Sequence, residues 1–220
     1  MNLIPKSLIF IFILFSWGTP NGFAETPEQV ALNAIQQEYE KVVTFEANFT
    51  QRSYVKMMDQ SQDVQGTVHI KKPGKMKWIY GDPDTQILIS NEKTLWLYVP
   101  DEEQATKVPV ESIYSSNTPA LFLAGKGKLT RAFNIESVNL EKDPIAVTLI
   151  PKQEDQALER LVLFASKKNY QITGSTVYDK LGNKTEIQFS HIQINREIPE
   201  KTFQFQVPPN VEVLDYTQSR

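Results

Sequence analysis

From Gly66 to Gln104 the chain runs GTVHIKKPGKMKWIYGDPDTQILISNEKTLWLYVPDEEQ, a series of short apolar segments cut by Pro, Gly and Asn. Met76, Trp78 and Tyr80 alternate with Lys75, Lys77 and Ile79. A period of two places the large apolar groups on one face of a strand and both ammonium groups on the other. Such a stretch cannot be a helix, and it leaves a half-apolar sheet that something must cover.

The rest of the chain supplies the partners. Thr26-Pro27-Glu28-Gln29 carries an N-cap, a first-turn proline and a capping-box glutamine, so a helix starts here. Leu32, Ile35, Tyr39 and Val42 form its apolar stripe, against a polar face of Gln36, Gln37, Glu40 and Lys41. At Phe45 the period changes to two, with Phe45, Ala47 and Phe49 sharing a face. Further strands are predicted at Val64–Ile70, Lys75–Tyr80, Gln86–Ile89, Leu95–Val99 and Thr106–Pro109. They resume at Phe133–Leu140, Ile145–Ile150, Arg160–Phe164, Ile172–Tyr178, Thr185–Ile194 and Thr202–Phe205. The fold class expected is mainly β with helices: one antiparallel sheet of about eleven strands, curled into a single open, incomplete barrel.

Asn117 to Gly125 interrupts this pattern. Thr118 caps it, Pro119 starts it and Gly125 ends it, while Leu121, Phe122 and Leu123 leave it no polar face. A short helix apolar all round must be buried. It is either a plug that completes the core or a lid over a cavity.

Residues 1–24 read as a secretory signal peptide: Lys6, an apolar run from Leu8 to Phe15, Gly18 and Pro20, and small residues before Ala24. That run falls short of the roughly 20 residues a permanent span needs. Cleavage after Ala24 is expected to leave 196 of the 220 residues as one domain, 25–220. Without Lys6, 22 of the 23 basic residues face 26 acidic ones, with no basic stripe for nucleic acid. The chain has no cysteine, so neither disulfide, lipid-modified cysteine, thiol nucleophile nor thiolate metal site is expected.

Catalytic patterns are sparse. His69 and His191 lie on strands with no second ligand at metal spacing, and no G-x-S-x-G elbow occurs. Around Gly125-Lys126-Gly127-Lys128, Phe122 and Leu129 occupy positions where a phosphate loop needs Gly and Ser or Thr. The expectation is a non-enzymatic binding protein with no metal or cofactor.

Several pieces, in order along the chain, together resemble the LolA family, periplasmic carriers that escort lipoproteins to the outer membrane of Gram-negative bacteria. They are Phe45-x-Ala47-x-Phe49-x-Gln51, Lys72-Pro73-x-x-Met76-x-Trp78, Thr94-Leu95-Trp96-x-Tyr98-x-Pro100, Glu103-Gln104-Ala105-Thr106, Asn117-Thr118-Pro119 and Phe203-x-Phe205-x-x-Pro208-Pro209. The resemblance implies an open barrel closed by the N-terminal helix and a short central lid helix, enclosing an apolar cavity for lipoprotein acyl chains. It implies as partners lipid-modified proteins, an inner-membrane ATP-driven transporter that releases them, and a LolB-like outer-membrane receptor, with the carrier acting as a monomer in the periplasm. Ile35, Tyr39, Phe45, Phe49, Met76, Trp78, Leu121, Phe122 and Leu123 are the residues expected to line cavity and lid. The family's lid-clamping arginine falls at Lys72, which lacks the planar five-donor fork, so its clamp is expected to be weaker or differently arranged. Two alternatives stay open at this point: a lipid-sensing or envelope-stress regulatory domain of the same fold, and a lipid or envelope hydrolase.

Overall fold

A computed structural model describes residues 25–83, 85–110, 128–155 and 157–217. The predicted signal peptide and the predicted central helix, with Leu121, Phe122 and Leu123, lie outside the described residues.

Helix α1 (Pro27–Lys41) starts as the sequence dictates, the Thr26 hydroxyl accepting from the Gln29 backbone N–H at 3.3 Å. The chain then enters strands β1 (Thr44–Val55), β2 (Gln60–Lys71), β3 (Lys75–Tyr80), β4 (Gln86–Asn91), β5 (Thr94–Val99) and β6 (Gln104–Pro109). A single turn of helix, α2 (Leu129–Ala132), leads into β7 (Phe133–Asn139), β8 (Ile145–Pro151), β9 (Leu158–Ala165), β10 (Ile172–Asp179) and β11 (Lys184–Ile194). The last strand is β12 (Glu212–Asp215).

All twelve strands belong to one sheet, in the order β12-β6-β5-β4-β3-β2-β1-β11-β10-β9-β8-β7. Two meanders, β1–β6 and β7–β11, are joined where β1 pairs with β11, Phe49 opposite Phe189. The sheet is not closed: β12 and β7 form its edges.

Registers place the apolar residues of both meanders on one inner face. Val147 opposes Leu163, Leu163 opposes Ser175, and Ser175 opposes Ile187. On that face α1 packs Ala31, Leu32, Ile35 and Tyr39 against Ile145, Val147, Leu149, Leu161 and Leu163. A second cluster unites Phe45, Ala47, Phe49, Val68, Ile70, Met76, Trp78, Leu95 and Phe189.

Three expectations are corrected. The predicted final strand at Thr202–Phe205 is a 3-10 turn, Glu200–Phe203, followed by extended chain. Pro208 and Pro209 cannot donate to a ladder, and only beyond them does the chain pair, parallel to β6. The outer face of β3–β6 is not uniformly polar either. Register turns Ile87, Ile89, Trp96 and Tyr98 outward, and the C-terminal segment covers them, Phe205 lying 5.1 Å from the Trp96 ring and 5.4 Å from Tyr98. Phe203 and Ile198 are buried there too, so these strands are sandwiched. The third correction is Gln36, expected on the polar face of α1 but buried. Its Oε1 accepts from the Leu129 backbone N–H at 2.8 Å, capping α2, which has no side-chain cap of its own.

Candidate functional site

The site-residue predictions divide between the two clusters. Ile35 and Tyr39 belong to the one that α1 fills, while Phe45, Phe49, Met76 and Trp78 belong to the other, against which the helix packs only its C-cap residue Val42. Burial alone did not decide this division. Alternation makes each of these residues inward-facing, but only the sheet order shows which of them α1 reaches.

The second cluster is aromatic. Phe49 meets Trp78 edge-on at 5.0 Å and Tyr80 at 5.1 Å, Phe45 meets Phe189 at 5.3 Å, and Trp78 lies 6.3 Å from Phe189. Phe189 was not among the predicted lining residues. Its signal in the sequence is the alternation Ile187-x-Phe189 in β11, which puts it opposite Phe49. Gly66 completes the packing. It is the partner of Phe49 across β1 and β2, and a Cβ there would lie 2.7 Å from the Phe49 ring and 2.1 Å from the Ile79 carbonyl oxygen. The absent side chain makes room for the ring.

Two polar atoms on the inner face lack partners among the described residues: the indole Nε1 of Trp78 and the Ser175 hydroxyl. Both side chains are buried, Trp78 to 2% exposure. Nearby, burial pushes the Tyr80 phenol up to about 12, so it stays a neutral group over any physiological range.

Lys72 sits where the two clusters meet. Its ammonium donates to the Tyr39 carbonyl, in the last turn of α1, and rests over the Tyr39 ring 3.3 Å from its centroid. A cation at a helix C-terminus complements the carbonyls that have no partner in the next turn. Burial lowers its pKa to about 8. The helix so engaged is α1; the predicted contact with the central segment lies outside the described residues. Beside Lys72 opens a small seam cleft of about 40 Å³. Val42, Val43, Phe45, Ile70, Ile172 and Ile194 make its walls, with Glu38, Tyr39, Lys72, Asn169 and Gln171 as its polar groups.

Both histidines find their partners across strands. Register sets His69 opposite Glu46, with Nδ1 3.0 Å from its carboxylate, and Asn48 Nδ2 lies 3.4 Å from His191 Nδ1.

The described residues form one unclosed sheet whose inner face carries a buried aromatic cluster beside the one that α1 fills, the architecture of an open, incomplete β-barrel. The chain belongs to the LolA family: the family's model, described as outer membrane lipoprotein carrier protein LolA, matches residues 40–206. Among curated relatives, the outer-membrane lipoprotein carrier protein of Hahella chejuensis is 34% identical over 186 residues, 83% of this chain and 87% of that protein. That of Nitrosospira multiformis is 26% identical over 214 residues, 97% of this chain and 99% of the relative. An uncharacterised conserved protein from Thermus thermophilus shares the fold, with TM-score 0.54 at 11% identity over 85% of this chain and 98% of its own. A LolA superfamily protein from Nitrosomonas europaea aligns at TM-score 0.46 and 13% identity, over 79% and 97%.

Proposed function

We propose that this protein is a periplasmic carrier that shields the acyl chains of lipoproteins on their way from the inner to the outer membrane. The observation that carries the reading is the aromatic cluster of the inner face around Phe45, Phe49, Trp78 and Phe189, which lies outside the cluster that α1 fills. Family membership supports the cargo. The carrier proteins matched across most of their length are named for it.

In this reading Phe45, Phe49, Met76 and Trp78 form the wall, Ile35 and Tyr39 its α1 side, and Leu121, Phe122 and Leu123 the lid. Lys72 is the latch, and holding α1 by the Tyr39 carbonyl is the part of that role the geometry supports. In this reading the Trp78 indole N–H, buried and unpartnered among the described residues, donates to an ester or amide carbonyl at the root of the acyl chains. An orphaned buried donor costs about 1–3 kcal/mol, which a bound carbonyl would recover.

Each methylene hidden from water is worth about 0.8 kcal/mol, so several acyl chains are held in a bilayer by tens of kcal/mol. A cavity of ordinary affinity cannot extract them. Loading is therefore driven, by an inner-membrane ATP-powered transporter, and delivery runs downhill to an outer-membrane receptor of the LolB type. The test is to add the purified mature protein to spheroplasts synthesising lipoproteins. Soluble one-to-one lipoprotein complexes are the expected product; lipoproteins that stay wholly membrane-bound while a known carrier releases them in parallel would refute the reading.

A further inference from the structure

Hairpin turns are normally polar, because Gly, Asn, Asp and Ser supply their backbone geometry and face water. Two neighbouring turns of this sheet break that rule. The β1–β2 connection, residues 56–59, carries Met57 at 92% and Met58 at 57% exposure, and the β10–β11 connection, residues 180–183, carries Leu181 at 79%. β1 pairs with β11 as far as Tyr54 opposite Lys184, so the two turns emerge side by side. The Lys56 backbone N–H donates to the Asn183 side-chain oxygen at 3.0 Å, and the Lys56 stem lies across Gly182, where a Cβ would meet it at 2.5 Å. Asp179 sets the second turn, accepting from the backbone N–H groups of Leu181 and Asn183 at 2.9 and 2.8 Å. The backbone is held, yet the large apolar side chains it presents are left in water. One exposed leucine needs no explanation, but a group of such residues at one end of a sheet marks a contact surface.

Shape and charge say what covers them. Turn tips are convex and offer no groove to a peptide or a helix, whereas a lipid bilayer yields around them. Lys56 and Lys180 flank the apolar tips. Lys56 enters no ion pair among the described residues, and Lys180 lies 3.6 Å from the exposed Glu154 carboxylate. The acidic groups of the turns are engaged locally: Asp59 accepts from the Tyr54 hydroxyl at 2.9 Å, and Asp179 also accepts from the Asn183 amide at 2.7 Å. Just behind them Lys184 and Glu186 offset each other at 2.8 Å. Apolar tips flanked by ammonium groups on flexible stems match the layering of an anionic bilayer, in which acyl chains lie beneath phosphates.

We propose that the turns at 56–59 and 180–183 dock this protein on an anionic phospholipid surface, with Met57, Met58 and Leu181 entering the interface and Lys56 and Lys180 on the phosphates. The site lies at the opposite end of β1 from Lys72, whose backbone N–H meets the Val43 carbonyl at 2.8 Å, and it shares no residue with the aromatic cluster. So few side chains give a weak, reversible attachment, suited to a protein that visits a membrane and leaves it.

The purified mature protein is mixed with vesicles of phosphatidylethanolamine and phosphatidylglycerol, and with vesicles of phosphatidylcholine alone, and binding is read by flotation. Wild type is expected to float with the anionic vesicles, and the combined Met57→Gln, Met58→Gln, Leu181→Gln variant to bind at least about tenfold more weakly. Lys56→Gln and Lys180→Gln should each weaken binding to anionic vesicles about fivefold, the worth of one lysine at such a surface, and change nothing on phosphatidylcholine. Val30→Gln, which removes an exposed apolar side chain from α1, should leave binding unchanged. Circular dichroism checks that each variant keeps the fold. Because the chain has no cysteine, Met57→Cys carries a single environment-sensitive fluorophore, whose emission should shift to the blue on vesicles, while the same label on the exposed Gln37→Cys should not. Wild type that does not float, a combined variant that floats equally, or a shift at the Gln37 position instead would each overturn the proposal. Self-association that the combined variant abolishes, without vesicle binding, would assign the tips to a second copy and overturn it as well. The lipoprotein reading fails separately: release of lipoproteins without flotation refutes only the docking site, and flotation without release refutes only the carrier function.

Discussion

Trp78→Phe separates the two roles a buried tryptophan can have in this sheet. The indole is 2% exposed, with the Phe49 ring at 5.0 Å, Tyr80 at 6.4 Å and Phe189 at 6.3 Å, and its Nε1 donates to nothing among the described residues. Phenylalanine keeps one six-membered ring in the same cluster and removes the N–H. The unpaired donor costs the folded state about 1–3 kcal/mol. Losing the five-membered ring costs about 1–2 kcal/mol, a fraction of the roughly 3–5 kcal/mol for truncating a large aromatic to alanine. The two effects oppose each other, so the net change in unfolding free energy should stay within about 1 kcal/mol. Lipoprotein uptake should fall, because the donor offered to the ligand carbonyl is gone. The assays are urea unfolding followed by far-UV circular dichroism, and lipoprotein release from spheroplasts. A loss above about 2 kcal/mol together with unchanged release would show that the indole N–H is satisfied in the native protein and offers the ligand nothing.

Other perturbations test the frame around this site. Gly66→Ala should destabilise by about 2–3 kcal/mol, because the added Cβ meets backbone at 2.1 Å as well as the Phe49 ring, so no rotamer change relieves it. For a chain of this size that is a fall of about 5–10 °C in Tm by circular dichroism, whereas Gly81→Ala, whose Cβ would lie 3.3 Å from the Gln65 carbonyl, should change Tm far less. Glu200 bridges Lys71 at 2.6 Å and Lys75 at 2.8 Å, fixing the C-terminal segment to the sheet, and their hydrogen bonds hold its pKa at about 2. Because that value lies below the unfolded one of 4.5, the stabilisation is complete above pH 4.5 and disappears as the pH falls towards 2; Glu200→Gln should flatten the acid-unfolding profile in that window. Lys72 gives a pH dependence of the same sign from a different cause, burial that disfavours its charged form. With its pKa lowered to about 8 from 10.5, the unfolded chain holds the proton longer than the folded one, so its contribution to stability rises from pH 8 to 10.5, and urea midpoints of Lys72→Met should lack that rise.

Local pattern carried much of the architecture into view. The helix start at Thr26-Pro27, the change of period at Phe45 and the alternation of Met76, Trp78 and Tyr80 each follow from bonds within a few residues, and all reappear in place. The inward direction of Phe45, Phe49, Met76 and Trp78 was legible for the same reason. Features resting on distant partners were not. Nothing near Gln36 in the chain announces that its amide caps Leu129, and nothing near Trp96 announces that Phe205 will cover it. Phe203-x-Phe205 alternates like a strand, yet the buried Phe203 on the outer face of β3 and β4 and the prolines that follow deny it a ladder.

By itself the sequence determined the element types, the faces of the strands, and membership in a family of carriers, because hydrophobic period and turn chemistry act over short distances. Tertiary structure decided which apolar residues α1 fills and which it leaves, since that depends on β1 joining β11 and on where the helix lies across the sheet. It also decided that the Lys72 ammonium, read from the sequence as a lid latch, reaches the Tyr39 carbonyl beside a small cleft. A side chain's direction is set by its neighbours in the chain, whereas its partner is set by the closure of contacts between segments far apart in it.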